Sequence, residues 1–125
     1  IMSAPTAGQH AAVAALTQPE AEQDVQRMIR AYDERRRLIV GGLNSMGLPT
    51  FEPRGAFYCF PDIRVTGLDS DTFATRLLHE HKVAVVPGEA FGASGAGFVR
   101  CSYATSLANI ERALERIGAF VRGLT

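Results

Sequence analysis

The sequence predicts an α+β fold, an α/β two-layer arrangement. It holds a small, mainly antiparallel sheet of three to four strands, covered by helices on one face and preceded by a long linking helix. Three observations predict it. The elements follow the order helix, long helix, strand, strand, helix, strand, strand, helix. The strand candidates are short, apolar and bounded by proline or glycine. The helix candidates carry their apolar residues at steps of three and four.

Residues 7–16 (AGQHAAVAAL) read as a short, alanine-rich helix whose small side chains suit close packing against another element. Thr17 and Glu20 have capping-box spacing, and Pro19 suits a first turn, so a second helix begins there. It runs over 19–46, with Val25, Met28, Ile29, Tyr32, Ile39, Leu43 and Met46 on one stripe. Gly41 and Gly42 weaken its last turns, and Gly47 suits its C-cap. The run 33–37 (DERRR) reads as solvated, with Asp33 and Arg37 spaced for an ion pair. Residues 49–53, bounded by proline, fit an edge strand. After Gly55, residues 56–60 (AFYCF) fit an aromatic-rich strand ended by Pro61-Asp62. A loop over 63–69 leads to a helix capped by Asp69 or Ser70, burying Phe73, Leu77 and Leu78 and ending near His81. Residues 83–86 (VAVV) read as a buried strand stopped by Pro87-Gly88, and 88–97 as a glycine-rich loop. Residues 98–103 (FVRCSY) form the next strand. Ser106 caps a final helix with a seam of Leu107, Ile110, Leu114, Ile117 and Val121. No repeat, low-complexity tail or flexible linker interrupts the pattern.

At 125 residues the chain is one domain or a piece of a larger one. A chain of this size buries roughly two-thirds of its unfolded surface. Thirteen basic residues balance thirteen acidic ones, which gives no electrostatic reason to expect nucleic acid or an anionic membrane as partner. No apolar run approaches the ~20 residues that span a bilayer. No signal peptide is visible. Two cysteines are too few for a disulfide scaffold or a four-cysteine zinc site. A cytoplasmic protein is expected. The chain opens on Ile1-Met2 rather than on a methionine, so sequence upstream is expected too.

Four groups of residues invite a chemical reading. His79, Glu80 and His81 are adjacent, but positions i and i+2 of a helix face different ways, and a solvated helix end is favoured over a metal site. Cys59 and Cys101 lie in strands, where a buried thiol packs as a small hydrophobe. The loop 88–97 joins strand to strand and so lacks the helix N-terminus of a phosphate cradle; a loop beside a ligand and a plain connector fit it about equally. Arg100 is the most informative. It stands mid-strand among apolar residues, where a charge is costly unless paired. Its planar fork matches a carboxylate, supplied either by an internal acid or by a ligand.

Taken together, residues 55–63 (GAFYCFPDI), 83–92 (VAVVPGEAFG) and 97–106 (GFVRCSYATS), followed by a terminal helix, resemble the C-terminal part of class I/II aminotransferases. These are fold-type-I, pyridoxal-phosphate-dependent enzymes of the aspartate and aromatic aminotransferase group. The opening residues 3–16 resemble the stretch after the cofactor-lysine region. The resemblance implies that 1–125 is the small domain, with 1–16 the tail end of the large cofactor-binding domain. It implies that Arg100 holds the α-carboxylate of the substrate. More softly, it places Gly55 and Phe91 near the substrate, with a turn role for Gly55 and core packing for Phe91 as the plainer alternatives. Ser3 would lie near the neighbouring subunit's site.

The family's Schiff-base lysine would precede residue 1. Lys82, the single lysine beside twelve arginines, sits at a helix-to-strand junction outside any lysine motif and is expected in solvent. By resemblance the partners are an amino acid, a 2-oxo acid, the missing large domain and a second subunit in a homodimer. No catalytic, cofactor-binding or metal residue is assigned to this chain, which alone would be inactive. A pyridoxal-phosphate lyase, the ligand-sensing domain of a transcription regulator and a self-sufficient interaction domain are the competing readings.

Overall fold

The computed structural model describes residues 3–124. Four helices occupy Thr6–Thr17 (α1), Pro19–Ser45 (α2), Ser70–His81 (α3) and Leu107–Arg122 (α4). Three strands, Tyr58–Cys59 (β1), Val86–Pro87 (β2) and Val99–Ser102 (β3), form an antiparallel sheet in the order β1-β3-β2. The chain divides into two compact units, one up to Asp33 and one from Glu34 onward. None of the helices among the described residues is long and apolar enough to cross a membrane.

In the first unit α1 buries none of its residues, so the expected close packing is not met within this chain. The capping box is not formed either. Thr17 closes α1, donating its hydroxyl to the Val13 carbonyl, and α2 begins at Pro19. The apolar stripe of α2 is only partly covered. Val25, Met28 and Ile29 are exposed, whereas Ile39 and Leu43, in the second unit, are buried. The periodicity was a property of the helix; burial needs a second surface, and the described chain supplies one only to the later turns.

The helix end follows the glycine logic. Gly47 has φ of +81°, and the Leu48 amide donates back to the Leu43 carbonyl at 3.1 Å. Gly42 does not break α2, because the Leu114 side chain fills the space of its missing Cβ. Arg36, expected in solvent with its neighbours, is mostly buried and pairs with Glu52.

The sheet is shorter than the sequence pattern implies. Residues 49–53 form no strand; Thr50 makes one bridge to Pro61. Thr50 is instead held by Asn44, whose side-chain oxygen accepts its amide at 2.9 Å. β1 keeps two of five expected residues, because Ala56 before it takes φ of +58°. The valine-rich segment pairs only at Val86–Pro87, and Val83, Val85 and Val86 are half-buried rather than buried. β3 is the central strand and carries the alternation: Val99 and Cys101 buried, Arg100 half-buried, Ser102 exposed.

The buried face meets the helices. Phe73 of α3 and Phe120 of α4 meet edge to face at 5.2 Å. A cavity of about 70 Å³ lies among Ile39, Cys101, Ile110 and Ile117. Phe120, absent from the expected seam, is fully buried, whereas Leu78 of α3 is exposed rather than buried. Each sits beside a fully buried or predicted core position of its helix, and helix rotation against the sheet decides such positions.

Asp69 caps α3, accepting the Thr72 amide at 2.8 Å and the Thr72 hydroxyl at 2.7 Å. These bonds hold its carboxyl below the usual aspartate range. A carboxylate depressed by folding adds stability above its unfolded pKa of about 4, and that stability is lost as pH falls through the lower folded value. Acidification should therefore fray the first turn of α3, read as faster amide exchange at Thr72 and Phe73. Asp69→Asn, which caps without titrating, should remove that pH dependence.

Ser70 is fully buried and accepts the Gly97 amide at 3.0 Å, tying the start of α3 to the chain just before β3.

Candidate active site

Arg100 is placed by register. It pairs with Val86 on β2, and its strand neighbours Val99 and Cys101 both point into the core. Arg100 therefore projects from the opposite face of the sheet. Tyr58 reaches that face in the same way, because Cys59 beside it is the buried register partner of Cys101. The Arg100 Cζ lies 4.3 Å from the centre of the Tyr58 ring.

A second ring closes on it from the glycine-rich loop. That loop is two 3-10 turns, Gly88–Phe91 and Ala93–Gly95. The Gly88 amide donates to the Phe98 carbonyl at 2.8 Å, and the backbones of Gly88 and Gly95 pack with no room for a Cβ on either. This pins Phe91 with its ring centre 4.5 Å from the Arg100 Cζ, braced edge-on by Phe60 at 5.7 Å. Phe57, Phe60 and Phe91 all remain partly exposed.

Among the described residues no carboxylate lies within ion-pair distance of Arg100, and Glu89 makes no such pair. The internal acid considered from sequence is thus not seen among those residues. A half-buried cation flanked by two rings and without an ion-pair partner among the described residues can accept an anion, a planar carboxylate above all.

The other predicted residues fall as follows. Phe91 is brought to Arg100. Gly55 is not: it lies in the exposed turn before β1, with open space in front of its α-carbon. That turn is tied to the sheet by the Tyr103 hydroxyl, which donates to the Ala56 carbonyl at 3.2 Å. Tyr58 was missed as a neighbour of Arg100. The signal was available, since pairing two buried cysteines across strands puts the residues beside them on the other face. Cys59 and Cys101 are both free thiols. Donation to the Cys59 sulfur, together with burial, pushes the Cys101 thiol well above its ordinary range, the setting of an unreactive cysteine. In the His79-Glu80-His81 run, Glu80 pairs with Arg76 at 2.7 Å and His81 packs on Phe120 at 5.4 Å.

The profile of the family described as aminotransferase class I and II matches residues 1–117. The chain belongs to that family. It is 49% identical over 114 residues to the aspartate aminotransferase of Pyrococcus abyssi, covering 91% of this chain and 29% of that protein. It is 50% identical over 109 residues to aromatic-amino-acid aminotransferase 2 of Thermococcus litoralis, covering 87% of this chain and 28% of that one. The crystal structure of the aromatic aminotransferase from Pyrococcus horikoshii superposes with a TM-score of 0.90 at 49% identity, over 94% of this chain and 32% of the other. The chain thus spans about a third of the length of these relatives.

Class I and II aminotransferases depend on pyridoxal phosphate. The residues described here do not make a site for it. The single lysine, Lys82, is exposed in the left-handed C-cap of α3, its Nζ donating to the His79 carbonyl at 2.8 Å. Among the described residues no aromatic ring stacks on it and no carboxylate pairs with it.

Proposed function

We propose that this chain is the substrate-binding small domain of a pyridoxal-phosphate-dependent aminotransferase, residues 1–16 being the tail of its large domain. The complete protein moves an amino group between an amino acid and a 2-oxo acid and works as a homodimer. Arg100 holds the substrate α-carboxylate through two parallel hydrogen bonds. The observation that carries this reading is the Arg100 guanidinium: half-buried on a central strand, held beside two aromatic rings, and without an ion-pair partner among the described residues.

Fixing the carboxylate fixes the α-carbon beside it, which supplies the positioning part of catalysis. Phe91 shields the bound carboxylate from water on the loop side, where a lower local dielectric strengthens the ion pair. Proton transfer and cofactor chemistry belong to residues outside this chain. The aminotransferases among its relatives favour this reading over a regulator domain.

Reconstitution tests the division of labour. The 125-residue chain mixed with pyridoxal phosphate and passed through gel filtration should retain no cofactor absorbance and show no turnover. A retained band accompanied by turnover would contradict the proposal.

A further inference from the structure

A guanidinium is flat, and its N–H bonds all lie in its plane. Its two faces carry no donor. In this fold two rings lie against it, with Tyr58 at 4.3 Å and Phe91 at 4.5 Å from the Arg100 Cζ. The two walls come from different elements. Tyr58 is set by pairing with Ser102 on β3. Phe91 is set by the 3-10 turn that the Gly88–Gly95 backbone contact holds in place.

We propose that Tyr58 and Phe91 are positioning residues: by packing their rings against Arg100 they hold its guanidinium in one orientation before a carboxylate arrives. The inference rests on Arg100 being the substrate clamp. Among the described residues no acid anchors Arg100, so the rings are what hold it. A long side chain held before the ligand arrives loses less freedom on binding, and its fork is already aligned. The faces also contribute electrostatically, since each ring presents its negative face to the cation.

The test uses the full-length protein with Tyr58→Leu, Tyr58→Phe and Phe91→Leu. Steady-state kinetics are combined with inhibition by 3-phenylpropionate and by its uncharged amide. Each leucine variant should raise KM and the inhibition constant of the carboxylate about 3- to 30-fold, the range expected for losing one cation–ring contact. The turnover number should stay within about threefold, and inhibition by the amide should not change. Tyr58→Phe, which keeps the ring, should behave as the unsubstituted protein. Leucine variants that bind the carboxylate normally, or that weaken carboxylate and amide alike, would overturn the proposal. Should Tyr58→Leu not fold, the half-exposed Phe91→Leu decides the matter. Arg100→Ala in the same assay separates the two claims. If it leaves carboxylate inhibition intact, the clamp itself is wrong. If it abolishes that inhibition while the leucine variants match the unsubstituted protein, only the positioning role is lost.

Discussion

Arg100→Ala in the full-length protein should lower kcat/KM for the amino acid at least about hundredfold. Two charge-assisted hydrogen bonds disappear, and each contributes roughly 1.5–3 kcal/mol. A hundredfold loss corresponds to about 2.7 kcal/mol, so one lost bond nearly suffices. Arg100→Lys should recover little. An ammonium cannot make the parallel pair, and its compact charge would not spread between the two rings as the flat group does. Thermal unfolding is the control. Arg100 makes no ion pair among the described residues but does touch two rings, so its removal should lower the melting temperature by only a few degrees while activity collapses. An effect on kcat/KM below threefold would take Arg100 out of the site.

Gly88→Ala should be the most damaging small change in the fold. A Cβ at that position would overlap the Gly95 carbonyl oxygen and stand 2.8 Å from the Phe98 carbonyl oxygen. Both obstacles are backbone and cannot rotate away. Overpacking of this kind costs about 1–3 kcal/mol, and the Gly88-to-Phe98 hydrogen bond would be strained with it. For a domain this size each kcal/mol lowers the melting temperature by roughly 4–8 °C. The same shift would carry Phe91 away from Arg100, so carboxylate binding should weaken together with stability. Gly41→Ala is the counterpart. Nothing lies within 4 Å of a Cβ there, mid-helix on α2, so the change should stabilise by about 0.5–1 kcal/mol. Urea unfolding of the three proteins checks the ordering. A Gly88→Ala protein as stable as the unsubstituted one would mean the loop backbone is not held as described.

Helix content was legible because it is written locally. Asp69 and Ser106 cap α3 and α4, Pro19 opens α2, and Gly47 takes the left-handed turn that ends it. The mid-strand arginine was legible for a similar reason, since a charge between Val99 and Cys101 is conspicuous wherever the strand goes. Strand ends were less so. A run such as 83–86 has the composition of a strand, yet only Val86–Pro87 finds a partner, because pairing depends on what lies alongside.

The amino-acid order alone determined the helices and their caps, the α+β class, and the presence of one arginine that had to find an anion or a ring. Tertiary structure alone decided which faces of α2 are covered, how short the strands are, and that Tyr58 and Phe91, thirty-three positions apart, both come to one guanidinium. Caps and periodicity are set within a few residues of chain. Register and ring stacking depend on segments that only the completed fold brings side by side.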